Sequence, residues 1–410
     1  MDIRVILILT AEALFALWLL YKAGLLKDRR YVFAAVLLTA LAFAARWAVL
    51  DYETLDYKDF LSQWVQYFRD NGGFAALSRQ IGNYNIPYLY FLALFSYSGI
   101  DDLYLIKLLS IFFDVLLAWG CALLLGRFTD SAPRRVAVFF AVLFLPTVFL
   151  NGALWAQCDS SYAAFAVLGI YLALSGRPEL SMVCAALSFG FKLQAVFILP
   201  VYAVLWMYGK FNWKHFIIFP AAYIVLVLPA VLLGRPFIET VTLYFGQTGS
   251  IGSGLNYNSP SIYAFFQYTL PEQYNALASR CGIAGAFVYM AAVLLVCFVK
   301  RRQLSDDAVL GAAVLLAIGI PFLLPHMHDR YFFCADILSL VLAFAAPWST
   351  AAALLVQFAS LLGYHAYLKM RYLLLMDRGS AALCAALGIC LVFFISTLCK
   401  KNPEKYKIRS

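Results

Sequence analysis

Continuous apolar runs, about 17–24 residues long and broken by short polar stretches, dominate the chain. Runs of that length suit α-helices crossing a hydrocarbon core of roughly 30 Å, whereas barrel strands would alternate apolar and polar positions in segments of about 10 residues. The pattern predicts an all-α polytopic membrane protein forming one integral-membrane domain over residues 1–410. Spans are expected near 4–24, 31–50, 103–126, 135–151, 159–176, 179–192, 194–208, 215–233, 283–299, 307–324, 331–347, 350–367 and 380–398, which gives about 11–13 transmembrane helices. The first run, Val5 to Tyr21, lacks a small-residue cleavage site and leads at once into Lys27-Asp28-Arg29-Arg30 and a second run, so it reads as a retained span. Ile86 to Ser98 is too short to cross and reads as re-entrant or interfacial. The spans 179–192 and 194–208 are broken at Lys192, a break tolerated where helix ends line a protein or water cavity. The chain shows no internal repeat and no low-complexity tract.

Composition agrees with lipid as the solvent. The chain is 64% hydrophobic and 13% charged, with mean hydropathy +0.82, against about 45–50% and about 25% in an average soluble domain. Dense basic clusters lie at Lys27 to Arg30, Arg127 to Arg135, Lys210 to Lys214, Lys300 to Arg302 and Lys400 to Arg409. All five fall in the cytoplasm if Ile86 to Ser98 does not cross. That topology puts the N-terminus outside and the 400–410 tail in the cytoplasm, and leaves Lys369, Arg371 and Arg378 outside. The net charge of +9 then belongs to loops and does not indicate nucleic-acid binding. Nine scattered cysteines without a C-x-x-C pair suggest neither a zinc site nor a disulfide framework; they read as small lipid-phase hydrophobes.

In this topology the polar residues crowd one outer face. A first extracytoplasmic loop, 51–102, carries an amphipathic helix with Phe60, Leu61, Trp64, Val65 and Phe68 on one side, ended by Gly72-Gly73. A second large loop covers 234–282. Short turns lie at Asn151 to Asp159, around Lys192, and at Pro325 to Arg330. The acids from Asp51 to Asp59 leave a span at the membrane surface, where a general base is tuned by partial desolvation; the plainer reading is a solvated helix exit. Trp155 reads either as an interfacial anchor or, with Gln157 and Asp159, as a platform for sugar hydroxyls. Charges at membrane depth cost roughly 2.5–3.5 kcal/mol on insertion scales, so Lys107 and Asp114, two turns apart, should face inward, and Asp114 with Lys192 is a candidate buried ion pair. Pro325-His326-Met327-His328-Asp329-Arg330 concentrates cations at the mouth of a span that Pro321 and Pro325 should unwind. It offers no third ligand for a metal and suits an anionic head group.

Read together, Asp51 to Trp64, Gly82 to Tyr90, Leu105 to Lys107 with Asp114, Trp155 to Asp159, Phe191 to Gln194 and Pro325 to Tyr331 resemble, in this order, a bacterial membrane family. That family is related to the eukaryotic GPI mannosyltransferases within the integral-membrane GT-C glycosyltransferases, and the resemblance covers roughly residues 45 to 345. It implies an inverting hexosyltransferase, moving mannose or glucose from a polyprenyl-phosphate donor to an extracytoplasmic glycan or glycolipid acceptor of the cell envelope. Asp56 matches the family's base best and Asp51 is second. Arg330, His328, His326 and Lys192 would bind the donor phosphate, and Tyr57, Asn83, Tyr84, Asn85, Tyr88, Trp155, Gln157 and Asp159 the sugar and acceptor. Lys107 and Asp114 would be structural intramembrane polar groups. No metal and no cofactor beyond the lipid-linked substrate is implied; membrane lipid is the remaining partner. At Ala156 this chain departs from the family's usual glycine. Rival readings of the same residues are a lipid-linked glycan flippase or transporter, a glycan polymerase or ligase, and a scaffold of a glycan-assembly complex.

Overall fold

The computed structural model describes residues 2–247, 254–267 and 269–399. The basic tail, 400–410, and part of the 234–282 loop fall outside the described residues. Eight described helices are long and apolar enough to cross a membrane: those within Ile3–Lys22, Arg29–Trp47, Asp102–Leu125, Trp213–Leu232, Glu272–Val299, Asp306–Leu323, Pro347–Leu368 and Met376–Cys399. The protein is an all-α, multi-pass membrane protein, as its hydrophobic pattern predicts. Ala132–Leu143 and Pro146–Leu154 count as a ninth span if taken together, but they are bent by 44°. The straight span expected over 135–151 is interrupted because Leu145 precedes a proline; it takes an extended conformation, ψ 123°, instead of a helical one.

Shorter apolar helices lie at Ile86–Phe95, Asp159–Leu174, Pro178–Phe191, Leu193–Met207 and Phe333–Ala345. At about 1.5 Å per residue, the 10-residue Ile86–Phe95 helix is roughly 15 Å long, half a hydrocarbon core. Side-chain caps set several starts: Asp28 accepts from the Arg30 amide, Asn85 from Ile86, Asp101 from Leu103 and Ser305 from Ala308. The expected break at Lys192 is present. The Pro178–Phe191 helix ends there in an extended residue, φ −155° and ψ 139°, before a 3₁₀ turn.

The chain folds as two compact units, Met1–Ala195 with Trp213–Ile251, and Val196–Asn212 with Gly252–Ser410. In the first, Asp102–Leu125 is the central helix, with 78% of its apolar window buried. It packs on Ile3–Lys22, Ala132–Leu143 and Asp159–Leu174, and Asp159–Leu174 in turn pairs with Pro178–Phe191. In the second, Asp306–Leu323 is central, 83% buried, against Asn275–Val299, Phe333–Ala345 and Met376–Cys399. Peripheral helices turn bulky apolar side chains outward, among them Val225 and Leu232 in the first unit and Phe287 and Val288 in the second. Water would penalise such surfaces; lipid does not.

Two local expectations are corrected. Leu61, Trp64, Val65 and Phe68 are buried as expected, but Phe60 is exposed, because Tyr57–Leu61 forms a wide π-type turn that rotates it off the face continued by the Ser62–Asp70 helix. Pro321 does not unwind its helix, which runs to Leu323. The chain turns extended at Leu324, ahead of Pro325.

Candidate functional site

Two wide turns build the site in the first unit. One is Tyr57–Leu61, which Asp56 opens; the other is Leu150–Leu154, closed by the Trp155 amide on the Leu150 carbonyl at 2.9 Å. Such turns add a residue to a helix and re-aim the side chains beside it. The buried Thr54 hydroxyl ties them together by donating to the Trp155 carbonyl at 3.0 Å. Ala156 takes φ 67°, the left-handed region where a Cβ is penalised. This reverses the chain, so that Trp155 and Gln157 both point at Asp56. The Gln157 amide closes the turn on the Asn151 carbonyl at 2.8 Å. Close packing continues at Gly152, where a Cβ would lie 3.2 Å from the Ser110 Cβ and 3.4 Å from both carboxylate oxygens of Asp114.

The Asp56 carboxylate accepts two neutral N–H donors on one oxygen. Trp155 Nε1 and Gln157 Nε2 each lie 2.9 Å from Oδ2. Trp155 is fully buried and Gln157 nearly so, while Asp56 is half-buried. Gln157 Oε1 accepts from the Tyr84 hydroxyl at 3.0 Å. Tyr84 meets Trp64 and Tyr88 edge-on, at 5.4 and 4.8 Å between ring centroids. These rings form an aromatic wall beside the carboxylate. Trp155 is therefore not an interfacial anchor: its indole is interior, and its N–H holds an acid.

Beneath this wall lies a buried ion pair. Lys192 Nζ is 2.6 Å from Asp159 Oδ1 and 5.6 Å from the centre of the Tyr84 ring. Asn151 Nδ2 donates to the other Asp159 oxygen at 2.7 Å. The expected pairing of Asp114 with Lys192 is overturned, because each has a nearer partner. Asp114 accepts from Arg46 at 2.9 Å and from the Ser160 hydroxyl at 2.5 Å, fully inside the unit. Lys107 does face inward, and its ammonium sits on the carbonyls of Val49, Leu50 and Tyr52 at 2.9, 2.9 and 2.6 Å. It thereby anchors the chain that leads into the acidic loop.

The other expected residues of this unit divide. Asn85 is fully buried, caps Ile86 and donates to the Tyr223 hydroxyl at 2.8 Å. Tyr88 is buried as well, and its hydroxyl has no hydrogen-bond partner among the described residues. Tyr57 is buried, and desolvation, with Asp101 nearby, pushes its hydroxyl pKa up to about 12. Asp51 is exposed and receives the Tyr104 hydroxyl at 2.5 Å; Asn83 is exposed.

His326, His328 and Arg330 belong to the second unit. His326, at φ 61°, bonds through Nδ1 to the Gly254 carbonyl at 2.7 Å and through Nε2 to the Ser279 hydroxyl at 3.3 Å. Both ring nitrogens thus serve the loop. Met327–His328 pairs in parallel with Asn256–Tyr257. The His328 ring stacks on Tyr257, 4.8 Å between centroids and 13° between planes, and tilts against Tyr331 at 5.1 Å. Arg330 lies 3.5 Å from Asp329 with 17% of its side chain exposed.

Arg46, Ser160 and Thr54 were not anticipated from sequence. Arg46 carries the same signal that singled out Asp114, a charge inside an apolar run. Thr54 and Ser160 carry none. The chain matches no family model, and it matches none of the curated proteins.

Proposed function

We propose that the chain is an inverting membrane glycosyltransferase of GT-C type, moving a hexose from a polyprenyl-phosphate donor to an extracytoplasmic acceptor. The observation that supports this best is the half-buried Asp56 carboxylate, held on Oδ2 by Trp155 and Gln157 next to the ring of Tyr84. Asp56 is the base that takes the acceptor's hydroxyl proton. The acceptor oxygen then bonds to the anomeric carbon, and the bond from that carbon to the lipid phosphate oxygen breaks with inversion. The carbon–oxygen electron pair leaves on the phosphate. Arg330 and His328 are assigned the departing lipid phosphate on the chemistry of their side chains alone. Tyr84, which is half-buried, supplies the ring against which a sugar packs. The active face is taken as extracytoplasmic and the C-terminus as cytoplasmic, with the shorter apolar helices completing 11–13 crossings.

The test is transfer from radiolabelled polyprenyl-phosphate mannose or glucose by purified protein in liposomes. Asp56→Asn should lower turnover about 10²–10⁴-fold, the worth of a positioned base, with folding unchanged. Trp155→Phe removes one donor to Asp56 and should lower kcat more than it raises KM. Near-normal turnover of Asp56→Asn excludes that residue. Label that crosses the bilayer without covalent transfer makes the protein a flippase.

A further inference from the structure

A cavity of about 300 Å³ in the first unit is lined by Ser78, Arg79, Gln80, Arg235 and Glu239, among others. Arg235 forms its wall and is only 5% exposed. Its guanidinium donates to the Thr240 hydroxyl at 3.1 Å, to the Arg79 carbonyl at 3.1 Å and to the Gln80 side-chain oxygen. All three acceptors are neutral. Among the described residues no carboxylate lies within 4.0 Å of Arg235. Buried guanidinium groups are ordinarily paired with an anion; this one is held by neutral acceptors, with Glu239 as a charged neighbour beyond contact distance. Arg79 adds a second cation and Glu239 one anion, both at the exposed rim. The cavity therefore carries one net positive charge.

Its position narrows the ligand. Arg235 comes three residues after Leu232, the last residue of a membrane-length helix. Leu232, Leu233, Phe237 and Ile238 around it are exposed apolar side chains. A cationic pocket flanked by lipid-facing residues at a span's end lies where lipid phosphates lie.

We propose that this cavity binds the phosphodiester head group of a membrane phospholipid, with Arg235 and Arg79 on the phosphate oxygens and the acyl chains along Leu232 and Ile238. A monoanionic diester matches the net charge of the site. The proposal stands whether or not the protein transfers sugar.

The experiment is native mass spectrometry of the purified full-length protein, delipidated and then titrated with phosphatidylglycerol, with phosphatidylcholine, and with inorganic phosphate as the water-borne source of the same chemistry. Phosphatidylglycerol should bind with at least about tenfold preference over inorganic phosphate. Arg79→Gln should weaken that binding severalfold: it removes only the exposed cation and leaves the Arg79 carbonyl to Arg235, so the fold is retained. Arg235→Gln should weaken it further, and Glu239→Gln should strengthen it. Unchanged binding in Arg79→Gln, or equal binding in wild type and Glu239→Gln, overturns the assignment. Inorganic phosphate binding as tightly as the lipid overturns the head-group part of it.

Discussion

Removing the ammonium at position 192 separates two roles for that residue, a scaffold charge and a ligand for substrate phosphate. Lys192→Met keeps the length and the apolar stem but strands Asp159, whose side chain is 1% exposed. Across 2.6 Å the pair attracts by about 6 kcal/mol at an effective dielectric constant of about 20. Much of that offsets the desolvation of both ions. Measurement sees what is lost when one partner goes and the other stays buried, about 3–5 kcal/mol. Asp159→Asn should cost a similar amount for the mirror-image reason. The double variant removes both charges of this pair together and should recover roughly 0.5–3 kcal/mol relative to the sum of the singles. Unfolding in detergent can be followed by reaction of the buried thiols, Cys121, Cys158, Cys297, Cys334 and Cys390, with a maleimide dye. The double variant should be more stable than adding the two single losses predicts. A Lys192→Met protein that unfolds like wild type yet loses all transfer would refute this reasoning and give Lys192 a substrate instead.

Two further outcomes follow from the site's geometry. Ala156→Gly should raise stability by up to about 1 kcal/mol in the same assay, because relief of a left-handed Cβ outweighs the added freedom of the unfolded chain; a loss would show that the methyl is needed in packing. Tyr57 has a hydroxyl pKa raised from 10 to about 12, so its folded state favours the neutral phenol. The stability this contributes is complete below pH 10 and drains away as pH rises toward 12. Tyr57→Phe should therefore flatten the alkaline fall of the unfolding curve between pH 10 and 12 and leave neutral pH unaffected. An unchanged alkaline limb counts against burial as the cause.

How much of this was legible in the sequence depended on whether the signal was local. Apolar run length marked the long helices, the short Ile86–Phe95 helix and the break at Lys192, because each is a property of consecutive residues. Asp56, Trp155 and Gln157 were singled out by residue type and by resemblance. Their convergence was not legible, because it depends on a left-handed Ala156 and on two π-type turns with no sequence pattern of their own. The pairing of buried charges was misjudged for a related reason. Asp114 and Lys192 were conspicuous, so they were matched to each other, while Arg46 sat unremarked near the end of another apolar run. With several charges buried inside one unit, partner choice is set by helix packing, which sequence spacing does not encode. Phe60 failed for a simpler reason, since the wide turn adds a residue and shifts the helical phase just ahead of the Ser62–Asp70 helix.

Five of the first unit's buried charges bear on how Asp56 is held. Arg46 with Asp114 and Lys192 with Asp159 are neutralised in place, and Lys107 is dispersed over three carbonyls. All of them are tied to the backbone that carries the site. Lys107 holds the chain entering the acidic loop, Asp114 packs against Gly152, and Asp159 bonds to Asn151, whose carbonyl closes the turn at Gln157. Interior ion pairs add little net stability compared with apolar packing, and their best-attested use is to fix one arrangement among several. Here the arrangement they fix is the aim of Trp155 and Gln157. The acid those two groups hold, Asp56, takes both N–H bonds on one oxygen. On the proposed transfer reading a base must meet the acceptor hydroxyl in one orientation, and the interior charges act on that orientation through the backbone that carries Trp155 and Gln157.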